Sequence, residues 1–308
     1  MPNGLVLQSG SWVVTSYTPT LPVGFMGDMY GVAIDGDLTV TGTTSLTKES
    51  YYNNVIISTG SLKTVGHRLF VRGTLTINSG CSVNDDGNNA NSGTIGATFG
   101  ATRGFLGGQT GAAGAGVSVA GNGINAGLAT AEVPPVNSLG VAASGGAGGN
   151  CGARTGGIGS AITTAAFRQN PVGNWLSGRQ YTNTLTAGKT YGFAGGQGGS
   201  SGANDTGAAA TSGAGGGGAG NVWIAANTII NNGRISANGG NGGNATGTGA
   251  AGGGGGGSGG TVIVITNTPS SSIGLIQSIG GAGGSPIGTG SVGSSGSVGG
   301  VYIMSFGG

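Results

Sequence analysis

Apolar residues alternate with polar ones along the first third of the chain. Val32 and Ile34 form one pair, followed by Leu38/Val40, Val55/Ile57, Leu69/Val71 and Leu75/Ile77. This period of two predicts short, half-buried strands through 29–90. Turn pairs separate them: Asp35-Gly36, Thr59-Gly60, Ser79-Gly80 and Asp86-Gly87. Further on the pattern changes. Gly215–Gly220 leads into Asn-Val-Trp-Ile-Ala at 221–225, and Gly299-Gly300 leads into Val-Tyr-Ile-Met at 301–304. Most pronounced is 252–260, Gly-Gly-Gly-Gly-Gly-Gly-Ser-Gly-Gly, which runs directly into Thr-Val-Ile-Val-Ile. A continuous β-branched run bounded by glycine reads as a buried strand.

These joins belong to an internal repeat. Residues 67–91, 220–244 and 260–285 align as full copies, and 299–308 as a partial one. Their leading strands are Leu69-Phe70-Val71, Val222-Trp223-Ile224, Val262-Ile263-Val264 and Val301-Tyr302-Ile303. A second and third apolar patch follow in each full copy: Leu75/Ile77 with Val83, Ile229/Ile230 with Ile235, and Ile273 with Ile276. A unit of this size cannot bury its own apolar face, so stacking the copies makes one core. The expected fold is all-β, a short-strand repeat core that is either solenoid-like or a stack of sheets.

In each copy a glycine tract follows the last strand and precedes the next first strand. Tracts at equivalent positions of a stack lie side by side. Extended three-residue-per-turn segments, the polyglycine II relative of polyproline II, have no internal hydrogen bonds and must bond to one another. Glycine alone allows that approach, despite costing roughly 0.5–1 kcal/mol per residue in entropy. We therefore expect a layer of packed polyglycine II helices beside the strands, in which Gly255→Val would drive a Cβ into a neighbouring helix. The chain divides into an apolar, Pro-punctuated segment 1–28, a strand region 29–90, a glycine-rich insertion with long loops at 91–220, and strand-plus-glycine repeats at 221–308. Segment 1–28 is expected to act as a cap over the end of the β core or as an attachment arm to another subunit, with Trp12, Tyr17 and Phe25 the attachment candidates.

Composition sharpens this picture. Of 308 residues 77 are glycine, while only 6% are charged. Eight prolines without a strict glycine triplet exclude collagen. A hydrophobic content of 36% at a net charge of +2 excludes an ordinary disordered chain. That charge also gives no electrostatic footprint for nucleic acid or an anionic membrane. No apolar run approaches a membrane span, and the Met-Pro-Asn-Gly start has neither a basic nor an apolar signal region, so synthesis in a cytoplasm without a secretion signal is expected. Cys81 and Cys151 read as small buried residues, with a bridge between them left open.

The tracts 195–199, 215–220 and 252–260, linked by variable loops, resemble those of the glycine-rich phage receptor-binding proteins, the distal tail-fibre adhesins. Residues Tyr51 to Ile77 are similar to the β-coil segments of glycine-rich phage fibre proteins. The resemblance implies a polyglycine II sandwich whose tip loops recognise a host cell-surface receptor, a glycan or an outer-membrane protein. It also implies a place on the virion. This sequence departs from that pattern in alternating hydrophobic strands with the glycine tracts, and no loop motif matches.

Candidate chemistry is sparse. The single histidine, His67, precedes a strand and reads as a turn residue. Asp85-Asp86-Gly87-Asn88 loosely resembles an oxygen-rich calcium loop but lacks the closing glutamate, so turn chemistry is the expectation and no metal site is assigned. No glycine tract is followed by the Lys-Ser/Thr of a phosphate-binding loop. Glu132 and Asp205 are the acids of the insertion, too few to argue for a glycosidase pair. Aromatic side chains stack on sugars and give contact area at low entropic cost. Trp175, Tyr181, Tyr191 and Phe193, with Arg168 and Arg179, are therefore the receptor-binding candidates. The expectation is a non-enzymatic tail-fibre or adhesin component without a cofactor, a trimer that meets other virion proteins through 1–28. A capsid or tail decoration protein and a glycan depolymerase are the alternatives.

Overall fold

The computed structural model describes residues 5–8, 11–14, 29–90, 146–158, 210–269 and 272–306. Its strands, in chain order, begin with β1 (Leu5–Gln8), β2 (Ser11–Val14), β3 (Leu38–Ser45), β4 (Ser50–Tyr52) and β5 (Val55–Lys63). Next come β6 (Arg68–Ile77), β7 (Ser82–Asn84), β8 (Ala210–Thr211), β9 (Asn221–Asn231) and β10 (Arg234–Ser236). The last are β11 (Thr246–Gly247), β12 (Thr261–Thr266), β13 (Leu275–Gln277) and β14 (Gly300–Ser305). The protein is nearly all-β, and helix is essentially absent among the described residues.

Ten strands form one nearly closed parallel sheet. Its pairings fall into three ladders. The first runs β4–β6–β9–β12–β14. The second joins Leu38–Val40 of β3 to Val55–Ile57 of β5, Leu75–Ile77 of β6 and Ile229–Asn231 of β9. The third joins the rest of β3 and β5 to β7, β10 and β13. The chain visits the ladders in turn, so it winds as a coil. The circuits through β5, β6–β7 and β9–β10 extend all three ladders or the second and third, while β12 extends only the first and β13 only the third. Alternation explains the core. Val55, Ile57, Leu69, Val71, Leu75, Ile77, Ile224, Ile229 and Val264 point inward and are buried. Each such side chain contributes roughly 1.5–3 kcal/mol on burial.

The third apolar patches align as the repeat predicts: Ile235 is level with both Val83 and Ile276. The leading strands of the two later copies also align, with Val262 opposite Val222 and Val301. The first copy is corrected by two residues. Leu69 lies opposite Ile224, not Val222, and a bulge between Val71 and Thr74 adjusts the register. Val32 and Ile34 are not in a strand. Both are exposed, and positive φ angles at Gly31 (82°) and Ala33 (56°) turn the chain out of the extended region. Cys81 and Cys151 are buried and free, not bridged.

Between the third ladder and the first, the chain leaves the coil as glycine-rich legs. Residues 237–245 lead out and 252–260 lead back; 278–285 and 291–299 repeat the excursion one turn later. The legs hold one another through backbone bonds spaced every third residue. Gly253, Gly256 and Gly259 N–H donate to Ser291, Ser294 and Ser297. Gly254, Gly257 and Gly260 donate to Gly243, Gly240 and Ala237. Carbonyls of Gly252, Gly255 and Ser258 accept from Gly213, Gly216 and Ala219. Carbonyls of Gly257 and Gly254 accept from Gly281 and Gly284, and those of Gly256 and Gly253 from Gly146 and Gly149. Segment 252–260 is thus wholly buried and surrounded by five others. Only glycine fits at its centre. A Cβ on Gly254 would lie 1.9 Å from Ala214 O, and one on Gly255 would lie 2.0 Å from Gly146 O.

Candidate interaction surfaces

The leg excursions end at a common tip. Thr246 and Gly247 pair with Thr211 and Ala210, Ala251 bridges to Ile287, and Cys151 bridges to Gly290. Small apolar residues plug this end: Ala210, Ala245 and Ala251 are buried with Ile287 packed on them, and Cys151 packs on Ala250. A leg of nine residues, 237–245, separates the third ladder from this tip.

All six receptor-binding candidates, Arg168, Trp175, Arg179, Tyr181, Tyr191 and Phe193, lie outside the described residues. The segment carrying them rejoins the described chain at Ala210, within the tip. Of the attachment candidates, Tyr17 and Phe25 are also outside the described residues, and Trp12 is described only as a backbone position of β2.

The legs also carry a register device. Oδ1 of Asp86 accepts from Asn238 N–H, and Oδ1 of Asn238 accepts from Ile279 N–H. In the same way Asn89 accepts from Asn241, Asn241 from Ala282, and Asn244 from Ser285. Each side chain reaches the equivalent position of the next turn. The three-residue spacing of Asn238, Asn241 and Asn244 was the available sequence signal. The acidic cluster takes part: Asp85 accepts from Asn221 N–H, while Asp86 also binds Ser236 Oγ and pairs with Arg234 at 3.1 Å. Both acids tie neighbouring turns together.

At the start of the coil Asp35 pairs with Lys48 and accepts from Tyr51 N–H. Lys48, and then the Tyr51 N–H, hold its carboxyl below the usual carboxylate range. Asp37 is lowered by hydrogen bonds from Asn53 and Asn54. His67 sits in the turn before β6, where partial burial lowers its pKa against the opposing pull of Glu49. Among the described residues no three His, Cys, Asp or Glu side chains gather as a metal site.

The outside of the first ladder is apolar. One row runs Tyr51, Phe70, Ala225, Ile265, Met304; the next runs Arg68, Trp223, Ile263, Tyr302. Tyr51 and Phe70 stack at 4.6 Å, Phe70 meets Trp223 at 4.9 Å, and Arg68 lies over both Phe70 and Trp223 while pairing with Glu49. The continuous apolar run of β12, rather than an alternating one, signals burial on both faces.

Comparison with protein-family models, with curated proteins and with solved structures finds no match.

Proposed function

We propose that this chain is a non-enzymatic surface protein of a bacteriophage particle, a tail-fibre adhesin component that binds a host cell-surface receptor. The observation carrying this reading is the three-residue step of the bonds around 252–260. We read that step as a polyglycine II lattice, the arrangement implied by the resemblance to glycine-rich phage adhesins. Such a lattice is a stiff scaffold with little side-chain chemistry of its own. After Asp205 the sequence has one charged side chain, Arg234, which pairs with Asp86. Recognition then falls to the insertion, whose chain returns at the tip. Loops held on a rigid scaffold are where binding residues concentrate. Trp175, Tyr181, Tyr191 and Phe193 would supply stacking surface, and Arg168 and Arg179 charge. Residues 1–28 would face the rest of the particle, in a trimer.

The test is saturable binding of the purified protein to intact host cells. Trp175→Ala/Tyr181→Ala is expected to reduce binding at least tenfold while leaving the fold intact. Full binding by that variant removes these residues from the receptor surface. No binding by the native protein, with assembly onto purified capsids or tails instead, replaces the adhesin with a decoration protein. Release of reducing sugar from host polysaccharide would overturn the non-enzymatic reading.

A further inference from the structure

The outer rows of the first ladder are buried although they face away from the coil's core. Trp223 and Ile263 are 2% exposed and Ile265 is 0% exposed. Outer side chains of a single-layered coil normally meet water, and an exposed apolar stripe of this length marks a covered surface. Two observations identify the cover. Met29 and Tyr30, the residues that emerge from segment 1–28, pack into this same outer cluster. Gly31 presses so closely that a Cβ would lie 2.8 Å from Tyr51 and 3.0 Å from Phe70. Residues 29–31 therefore lie on the outer face, beside Tyr51, Phe70 and Trp223. At the other end of the ladder, β2 comes within 8 Å of its last strand, β14.

We infer that the N-terminal hairpin β1–β2 of the same chain is the cover of this face, a strap laid across β9, β12 and β14. The hairpin pairs Leu5 with Val14 and Leu7 with Trp12, and its sequence is almost wholly apolar and uncharged. That composition suits an apolar stripe and offers no electrostatic attraction to a charged partner. The strap closes the side of the coil, not its end. Among the described residues Tyr30 Oη and Trp223 Nε1 are buried without hydrogen-bond partners, and such groups are costly to leave unmade.

Trp223 reports on the cover directly. The Trp12→Phe/Trp175→Phe variant leaves it as the sole tryptophan of the three in the chain. Deleting 1–28 from this variant is expected to raise the acrylamide quenching constant of Trp223 several-fold, with strand content retained by circular dichroism. Unchanged quenching in the folded, truncated protein overturns the inference. Should the truncated chain fail to fold, the full-length variant is given a protease site within 18–24, folded, and cut. A fragment that stays with the body and leaves Trp223 shielded supports the strap, as does a fragment that departs while quenching rises. A fragment that departs while Trp223 stays shielded overturns it. So does an uncut protein in which Trp223 is shielded only in assemblies of two or more chains, because the cover would then belong to a neighbouring copy.

Discussion

The coil and the glycine legs bury backbone in opposite ways. In the coil, side chains such as Leu75 and Ile224 fill the interior, and the strands stand apart at the distance those side chains require. In the legs there is almost no side chain, and segments approach until a Cβ would overlap a neighbouring carbonyl, at 1.9 Å for Gly254 and 2.0 Å for Gly257. A coil residue that loses methylenes leaves a cavity to which its surroundings partly relax. A leg residue that gains a methyl meets backbone, which has nowhere to go. The coil is specified by what it contains; the layer is specified by what it excludes.

The sharpest break in that comparison is Gly255→Val, which is expected to cost more than about 3 kcal/mol, the upper range for overpacking. Leu75→Ala in the coil is expected to cost about 2–5 kcal/mol by the cavity rule. Ser295→Val, on an exposed outer leg position, should stay within about 0.5 kcal/mol. Chemical denaturation of the three proteins checks the set, and a Gly255→Val protein as stable as Ser295→Val would erase the distinction. A smaller effect sharpens it. Asn241→Ala removes a side-chain bond to Ala282 N–H at an exposed position, worth about 0.5–1.5 kcal/mol. Thermal melting should show a modest loss, growing when Asn238 and Asn244 are replaced as well.

The coil was largely legible in the sequence because alternation and a repeat are one-dimensional signals. Val83, Ile235 and Ile276 aligned correctly because a single apolar residue marks each third strand. The misalignment of Leu69 with Val222 has a physical reason. A shift of two keeps every inward residue inward, so the pattern is blind to it. The Val32/Ile34 pair alternates like a strand, but its fate depends on backbone angles at Gly31 and Ala33 that alternation does not encode. The outer apolar stripe was partly announced by the unbroken run Val262–Ile265, but its cover depends on long-range contact with the chain's beginning. The receptor candidates rest on residue type alone, because nothing periodic constrains 159–209.

The central claim is that glycine legs, without helix or sheet, form a bonded lattice. Amide hydrogen exchange resolved by residue tests it most directly. The account predicts slow exchange at Gly253, Gly254, Gly256, Gly257, Gly259 and Gly260, whose N–H groups donate to neighbouring legs. It predicts fast exchange at Val292, Ser295 and Val298, exposed on the outer leg. Uniformly fast exchange through 252–260, as in a flexible glycine linker, would contradict it.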